Sequence, residues 1–169
     1  MKEGMGMAKL YIMVGVAGSG KSTWIKNHLT ENDVHISRDE IRFNMLAPND
    51  AYFSQEDAVF KRFCDEINWS LRAGLNVFAD ATHISKSSRR KLLQKIKVSN
   101  AETAAIFIKV PLLQALEQNS YREGRALVPE DVIRSMHKSL QPPTLEEGFN
   151  EIYIIENNKP IKVMKRGDE

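Results

Sequence analysis

The run Gly15-Val16-Ala17-Gly18-Ser19-Gly20-Lys21-Ser22-Thr23 fits the pattern G-x-x-x-x-G-K-[ST] at every fixed position. Its chemistry is that of a phosphate cradle. Gly15, Gly18 and Gly20, with Ser19 between the last two, permit turns that aim successive N–H groups at one anion, at the positive end of the helix that follows. Lys21 reaches the β- and γ-phosphates of a nucleoside triphosphate, Ser22 offers a hydroxyl to Mg²⁺, and Thr23 closes the motif. ATP and Mg²⁺ are therefore the expected ligands. A chance glycine turn before a helix is the bland alternative, and the strand and helix on either side argue against it.

Moving a γ-phosphoryl group to a hydroxyl requires a carboxylate that takes the acceptor's proton. Asp39 is the candidate general base, and Arg42, three residues on, shares a helix face with it and would neutralise an anionic acceptor. A helix-start carboxylate with an ion-pair partner is the alternative for this pair. Asp80 ends an apolar run, a position from which it can orient the loop, the waters of Mg²⁺ or the lysine, or else cap the next turn. Arg122 and Arg125 flank Gly124 in a loop that can close over ATP and bring positive charge to the transferring group, or be merely solvated. His83 reads as a turn residue, because no Cys or second His stands at metal-ligand spacing. Residues 81–101 contain no acid, whereas Lys86, Arg89, Arg90, Lys91, Lys95 and Lys97 are basic. That stretch is a solvated helix face or a phosphate-contacting surface.

Elements must hold these residues in place. Residues 10–14 form an apolar run of strand length, and 21–29 continue as a helix with no Pro or Gly to stop it. Residues 34–36 read as a second strand, whose carboxyl end carries Asp39 at the edge where open parallel sheets bind ligands. Ser37 is the expected N-cap of the short helix bearing Asp39 and Arg42. A long helix from Ser54 to about Ala73 closes at Gly74, with Phe60, Phe63, Cys64, Ile67 and Leu71 as its core stripe. Residues 75–79 make a third strand, Ser85, Ser87 or Ser88 starts the basic helix, and 103–110 make a fourth strand covered on both faces. Pro111 opens the next helix, and Pro129 the one after it, at the first helical position with Val132, Met136 and Leu140 inward. Residues 152–155 supply a fifth strand, and 161–164 allow a small edge strand. Trp24 and Trp69 are expected to pack. Alternating strands and helices predict a three-layer α/β phosphate-loop NTPase fold with a mostly parallel, five-stranded sheet.

Composition bounds the remainder. At 169 residues, with 42% hydrophobic and 27% charged residues, the chain suits one globular domain, expected over residues 8–169 after a flexible lead of residues 1–7. A net charge of +2 does not announce nucleic-acid binding by bulk charge. The single Cys64 makes no internal disulfide, no run has membrane-spanning length and no signal peptide is visible. A cytoplasmic, reducing setting with no membrane partner is the default, and homo-oligomerisation is left open.

The phosphate loop, Ile36-Ser37-Arg38-Asp39-Glu40-Ile41-Arg42, Asp80-Ala81-Thr82, and Asn119-Ser120-Tyr121-Arg122 leading to Val128 through Met136 together resemble the kinase domain of phage polynucleotide kinase. The resemblance implies ATP-dependent phosphorylation of a nucleic-acid 5′-hydroxyl, with DNA or RNA 5′ ends as partners. It implies Asp39 as general base, Arg42 on the acceptor, Lys21 and Ser22 on phosphate and Mg²⁺, and Asp80 in support. Arg122 would be the lid arginine on the donor phosphates, with Arg125 beside it. The acceptor side would comprise Arg38, Arg42, Asp80, Thr82 and His83, although His83 stands where many relatives have Asn. The phage enzyme also has a phosphatase domain, and no Asp-x-Asp-Gly-Thr motif occurs here, so a kinase alone is expected. A small-molecule or nucleotide kinase is the second reading. A nucleotide switch is the third, and Asp39 counts against it, since a switch needs no acceptor base.

Overall fold

Leu10, Ile12, Met13 and Val14 have no exposed surface in strand β1 (Lys9–Val14). Such burial of successive residues, which point to opposite faces, requires helices over both sides of the sheet. The computed structural model describes residues 7–168, so the expected lead of residues 1–7 lies outside the described residues except for Met7. The helices are α1 (Lys21–His28), α2 (Arg38–Met45), α3 (Glu56–Arg72), α4 (Lys86–Lys95), α5 (Leu112–Ser120) and α6 (Glu130–Ser139). The other strands are β2 (Asp33–Ser37), β3 (Asn76–Asp80), β4 (Glu102–Ile108), β5 (Glu151–Glu156) and β6 (Lys159–Lys165).

One sheet runs in the order β2-β3-β1-β4-β5-β6. Pairings from β2 to β5 are parallel, and only β5 with β6 is antiparallel. The chain leaves β1 for β2, returns to β3, and crosses to β4 on the other side, so β1 lies at the switch point where such sheets open a ligand crevice. The sheet has six strands, not the five expected. Asn157 and Asn158 take φ values of 51° and 61°, the left-handed conformation of a two-residue hairpin turn, which folds β6 back along the whole of β5. The Lys residues of β6 weaken its hydrophobic signal and also protect the exposed edge.

Two apolar layers complete the frame. On one face Val59, Phe63, Ile67 and Leu71 of α3 and Leu92 of α4 pack against Leu10, Ile12 and Val14. On the other, Ile25 of α1 packs with Met13, Phe78 and Ile106. Serine caps set the starts of α2 and α4: Ser37 Oγ accepts from Glu40 N at 3.2 Å, and Ser85 Oγ from Ser88 N at 3.1 Å. Helix α6 turns Ile133 inward with Met136 and Leu140 packed beside it, whereas Val132, expected inside, lies one residue off that face and is exposed. Trp24 stacks on His28 and packs near Phe78, but Trp69 is half exposed beneath the Arg62 guanidinium.

The basic stretch divides. Lys86, Arg90, Lys91, Lys95 and Lys97 are exposed, but Arg89 is fully buried. Its Nε and Nη2 donate to the two carboxylate oxygens of Glu147 at 2.7 and 3.1 Å, and Nη1 donates to the His83 carbonyl at 2.7 Å. A partner 58 residues away removes this cation from the positive face. Burial would raise the Glu147 carboxyl, but Arg89 and the Thr144 N–H outweigh that and hold it below its ordinary value. Breaking a buried fork strands the remaining charge, so Arg89→Ala should cost about 3–5 kcal/mol in urea unfolding, with Lys86→Ala near zero. Equal, small losses for the two variants would contradict the assignment.

Candidate functional site

The phosphate loop follows β1 directly, and β3 lies alongside: Gly15 N donates to the Thr82 carbonyl at 3.0 Å, tying the loop to the turn after β3. Gly18 has φ +82°, and a Cβ there would sit 2.4 Å from the Ala115 carbonyl of α5, so neither backbone nor space admits a side chain. Gly20, at φ +96°, is the residue before α1 and leaves the N-terminus of that helix facing the loop.

Inside the loop lies the Lys21 ammonium, buried, donating to the carbonyls of Gly15 and Val16 at 2.9 Å each and to Ser19 Oγ at 3.4 Å. All three acceptors are neutral. Burial lowers its pKa to about 8; Asp80 offsets part of this, and Arg122 adds to the lowering. Ser22 Oγ donates to Asp80 Oδ2 at 2.5 Å, and His35 Nε2 lies 2.7 Å from the same oxygen, positioned to donate. Burial alone would raise Asp80, but the His35 bond, the Lys21 charge and the Ser22 bond hold it below its ordinary value, so it stays ionised. Ser22 and Asp80 form an oxygen-only donor set beside the cradle, which fits a hard cation such as Mg²⁺. Among the described residues no cluster of three or more His, Cys, Asp or Glu could hold a metal without help from phosphate oxygens.

The side of the cleft expected to take an acceptor is built by α2 and the start of α3. Asp39, its side chain 57% exposed, accepts at Oδ1 from Arg42 Nη1 and from the Tyr52 hydroxyl, the latter at 3.0 Å. No hydrogen bond reaches its Oδ2 among the described residues. Arg42 is only 5% exposed, and its Nε and Nη2 form a fork on Glu56 at 3.0 and 2.7 Å. Burial would lower the Arg42 pKa, but Glu56, Tyr52 and Asp39 raise it, and the charge is fixed. Burial and then the Asp39 charge push Tyr52 up to about 12, so its hydroxyl remains a donor. Arg38 Nη2 adds a bond to Glu56 Oε1 at 2.6 Å, while its Nε is buried without a partner among the described residues.

Two cavities meet here. One, of about 710 Å³, is lined by Lys21, Ser22, Asp39, Asp80 and Tyr52; the other, of about 480 Å³, by Gly18, Gly20, Thr23, Tyr121 and Asn157. Arg122 lines both. It stands at the base of the loop between α5 and α6, which Asn119 closes by donating to the Val128 carbonyl at 2.7 Å and accepting from Val128 N at 3.0 Å.

Several expectations change in this geometry. Arg42, expected as an open contact for an anionic acceptor, has its donors committed to Glu56, Asp39 and Tyr52 and positions Asp39 instead. Arg125, expected beside the donor phosphates, donates Nη2 to the carbonyls of Ala47, Pro48 and Asp50 at 3.1, 2.5 and 3.0 Å. It thereby ties the loop between α5 and α6 to the segment between α2 and α3. Asp80, grouped with the acceptor, sits against Ser22 and within reach of the Lys21 field on the donor side. Thr82 lines the larger cavity with its carbonyl already taken by Gly15. His83 is buried, at φ +44°, with Nδ1 2.8 Å from the Met13 carbonyl, and so is committed to the turn. Glu56, Tyr52 and His35 went unnoticed in the sequence. His35 lies two residues before Ser37, on the same face of β2, and the pairing of β2 with β3 sets Ser37 beside Asp80 in register.

A family model described as an AAA domain matches residues 10–143. A protein of Autographa californica nuclear polyhedrosis virus, named as a bifunctional polynucleotide kinase/RNA ligase, is 23% identical over 143 residues, covering 77% of this chain and 20% of its own length. The L-seryl-tRNA(Sec) kinase of Methanococcus maripaludis is 26% identical over 179 residues, covering 91% of this chain and 68% of its own. A chain in the structure of the Pnkp1/Rnl/Hen1 RNA repair complex superposes with a TM-score of 0.69 at 22% identity, over 82% of this chain and 46% of that one. The chain thus spans one fifth of the viral relative and under half of the repair-complex chain. The likeness to solved structures shows an α/β phosphate-loop kinase fold. Among the described residues no helix is long and apolar enough to cross a membrane.

The burial of His83 has a consequence for acid stability. Burial lowers its pKa to about 4 from 6.5, so between these values the unfolded chain holds more protons than the native one. The stability linked to His83 is complete above pH 6.5 and is lost as pH falls towards 4, by about 3 kcal/mol in total. His83→Asn keeps an N–H for Met13 and tolerates the positive φ, so it should flatten urea stability across that range. Identical pH slopes for the two proteins would contradict this.

Proposed function

The chain belongs to the AAA domain family, and from that premise we propose that it is an ATP-dependent kinase whose acceptor is the 5′-hydroxyl of DNA or RNA. The observation that carries this reading is that Lys21 and Ser22 of the phosphate loop, the carboxylate of Asp39 and Arg122 of the lid line one cleft. A nucleotide switch would need the first pair and not Asp39. The printed name of the viral relative supports a polynucleotide acceptor, and that of the archaeal relative supports a tRNA-borne hydroxyl as the second reading.

In this reading the γ-phosphate lies in the loop against Lys21, and the acceptor hydroxyl approaches Asp39 from the Oδ2 side. The hydroxyl oxygen forms a bond to the γ-phosphorus as the bond to the β-γ bridging oxygen breaks. Asp39 takes the hydroxyl proton, and the electron pair of the broken bond leaves on the β-phosphate of ADP. Arg42 and Tyr52 hold Asp39 by Oδ1 and leave the other oxygen for the proton. Arg122 is placed to meet charge spreading over the transferring oxygens, and the lid excludes water. Ser22, backed by Asp80, would hold Mg²⁺, which when bound neutralises phosphate charge.

The test is transfer of labelled γ-phosphate to 5′-hydroxyl oligonucleotides, a 3′-mononucleotide, a free nucleoside, seryl-tRNA and a sugar panel. The oligonucleotides should be preferred, and Asp39→Asn should lower kcat by about 10²–10⁴ with ATP binding nearly intact. Preference for seryl-tRNA or a sugar would overturn the acceptor, and full turnover in Asp39→Asn would overturn the base.

A further inference from the structure

Phe53 is 69% exposed and lines the larger cleft together with Asp39, Arg42 and Tyr52. A lone surface phenylalanine needs no explanation, but this one is held in place. Its ring meets that of Tyr52 nearly edge-on, with centroids 4.6 Å apart and planes at 80°. The Arg42 guanidinium lies 5.7 Å from its centroid, and Phe43 stands 6.1 Å from Tyr52. The backbone beneath is equally fixed. Asp50 Oδ2 accepts from Ala47 N at 2.8 Å, Ser54 N donates to the Ala51 carbonyl at 3.0 Å, and Arg125 of the lid grips the carbonyls of residues 47, 48 and 50. The result is an aromatic wall whose outer ring is open to solvent, beside a carboxylate that the Tyr52 hydroxyl contacts.

We propose that Phe53, backed by Tyr52, is the stacking platform for the nucleobase of the terminal nucleotide that carries the accepting hydroxyl. This rests on the polynucleotide reading of the same cleft. A cavity of about 710 Å³ has room for far more than a hydroxyl, and its size is that of pockets which enclose drug-sized ligands. The cations nearest the wall, Arg38 and Arg42, are already neutralised by Glu56 and Asp39, so the wall offers a flat apolar face and not a free charge. A ring face accepts any base, because every base has a π-face, which suits an enzyme indifferent to sequence. It also demands that the base be out of its own stack. The acceptor class is therefore an unpaired 5′ end, single-stranded or frayed, and Phe53 is a positioning residue that aligns its hydroxyl with Asp39.

The experiment measures transfer to single-stranded 5′-hydroxyl oligonucleotides that are identical except that the terminal residue carries a base or is abasic. In the wild-type protein, loss of the base should raise KM about tenfold, the size of one base-on-aromatic contact. Phe53→Ala should raise KM for the base-bearing strand by a similar factor and leave the abasic strand unchanged, with the loss in KM and not in kcat. Phe53→Trp should restore the wild-type difference, which a purely structural role for the ring would not require. Equal effects of Phe53→Ala on the two strands, or indifference of the wild-type protein to the terminal base, would overturn the platform while leaving the polynucleotide reading in place. Failure of the wild-type protein to use any of the oligonucleotides would overturn both.

Discussion

A buried ammonium without a carboxylate in contact sets the terms for this structure. Lys21 is held only by neutral oxygens of its own loop, and burial has already lowered its hold on the proton. An anion arriving at the cradle relieves a cost that the fold otherwise bears. Asp80 is the distant counter-charge that makes the arrangement tolerable, and it must remain ionised although it is itself buried. That requires Ser22 and His35, and His35 reaches Asp80 only because β2 lies beside β3. The strand order, which at first sight concerns packing alone, is thus what allows the loop lysine to stay charged.

The acceptor half is balanced locally. Two arginines and two carboxylates, Arg38, Arg42, Asp39 and Glu56, neutralise one another. Taking these ions out of water offsets most of their mutual attraction, so the fork from Arg42 to Glu56 contributes more to geometry than to stability, although removing one member would strand the others in a partly dry site. What the network delivers is a carboxylate with one oxygen occupied and one free. Arg125 joins this half to the loop between α5 and α6 through three carbonyls, so the loop that carries Arg122 is tied to the segment that carries Tyr52.

Local signals were legible in the sequence, and convergent ones were not. The phosphate loop, the cap Ser37, a serine cap among Ser85, Ser87 and Ser88, and the shared face of Asp39 and Arg42 depend on neighbours within a few residues, and so does the alternation of strands and helices that gives the fold. Glu56 opens an ordinary helix and reads there as an acid favouring the dipole; only the approach of α2 makes it the partner of Arg42. Arg89 has the same difficulty in reverse. Nothing within its helix distinguishes it from Arg90 next to it, yet one is fully buried on Glu147 and the other is exposed. His83 could be recognised as a turn residue from its position, but that its ring belongs to Met13 and not to a substrate depends on the packing of β1 under the turn. The sixth strand was visible as an edge candidate, and its full length depends on a hairpin turn that two asparagines make without glycine.

A cradle that stores a charge awaiting phosphate must reveal it in the titration of Lys21 itself. The side chain can be followed by carbon-detected NMR of labelled lysine, assigned by loss of the signal in Lys21→Met. In the free protein the group should titrate near 8, well below the ordinary 10.5, and addition of ATP with Mg²⁺ should carry it upward. A Lys21 that titrates at its ordinary value in the free protein, or that does not move when the nucleotide is added, would contradict the account.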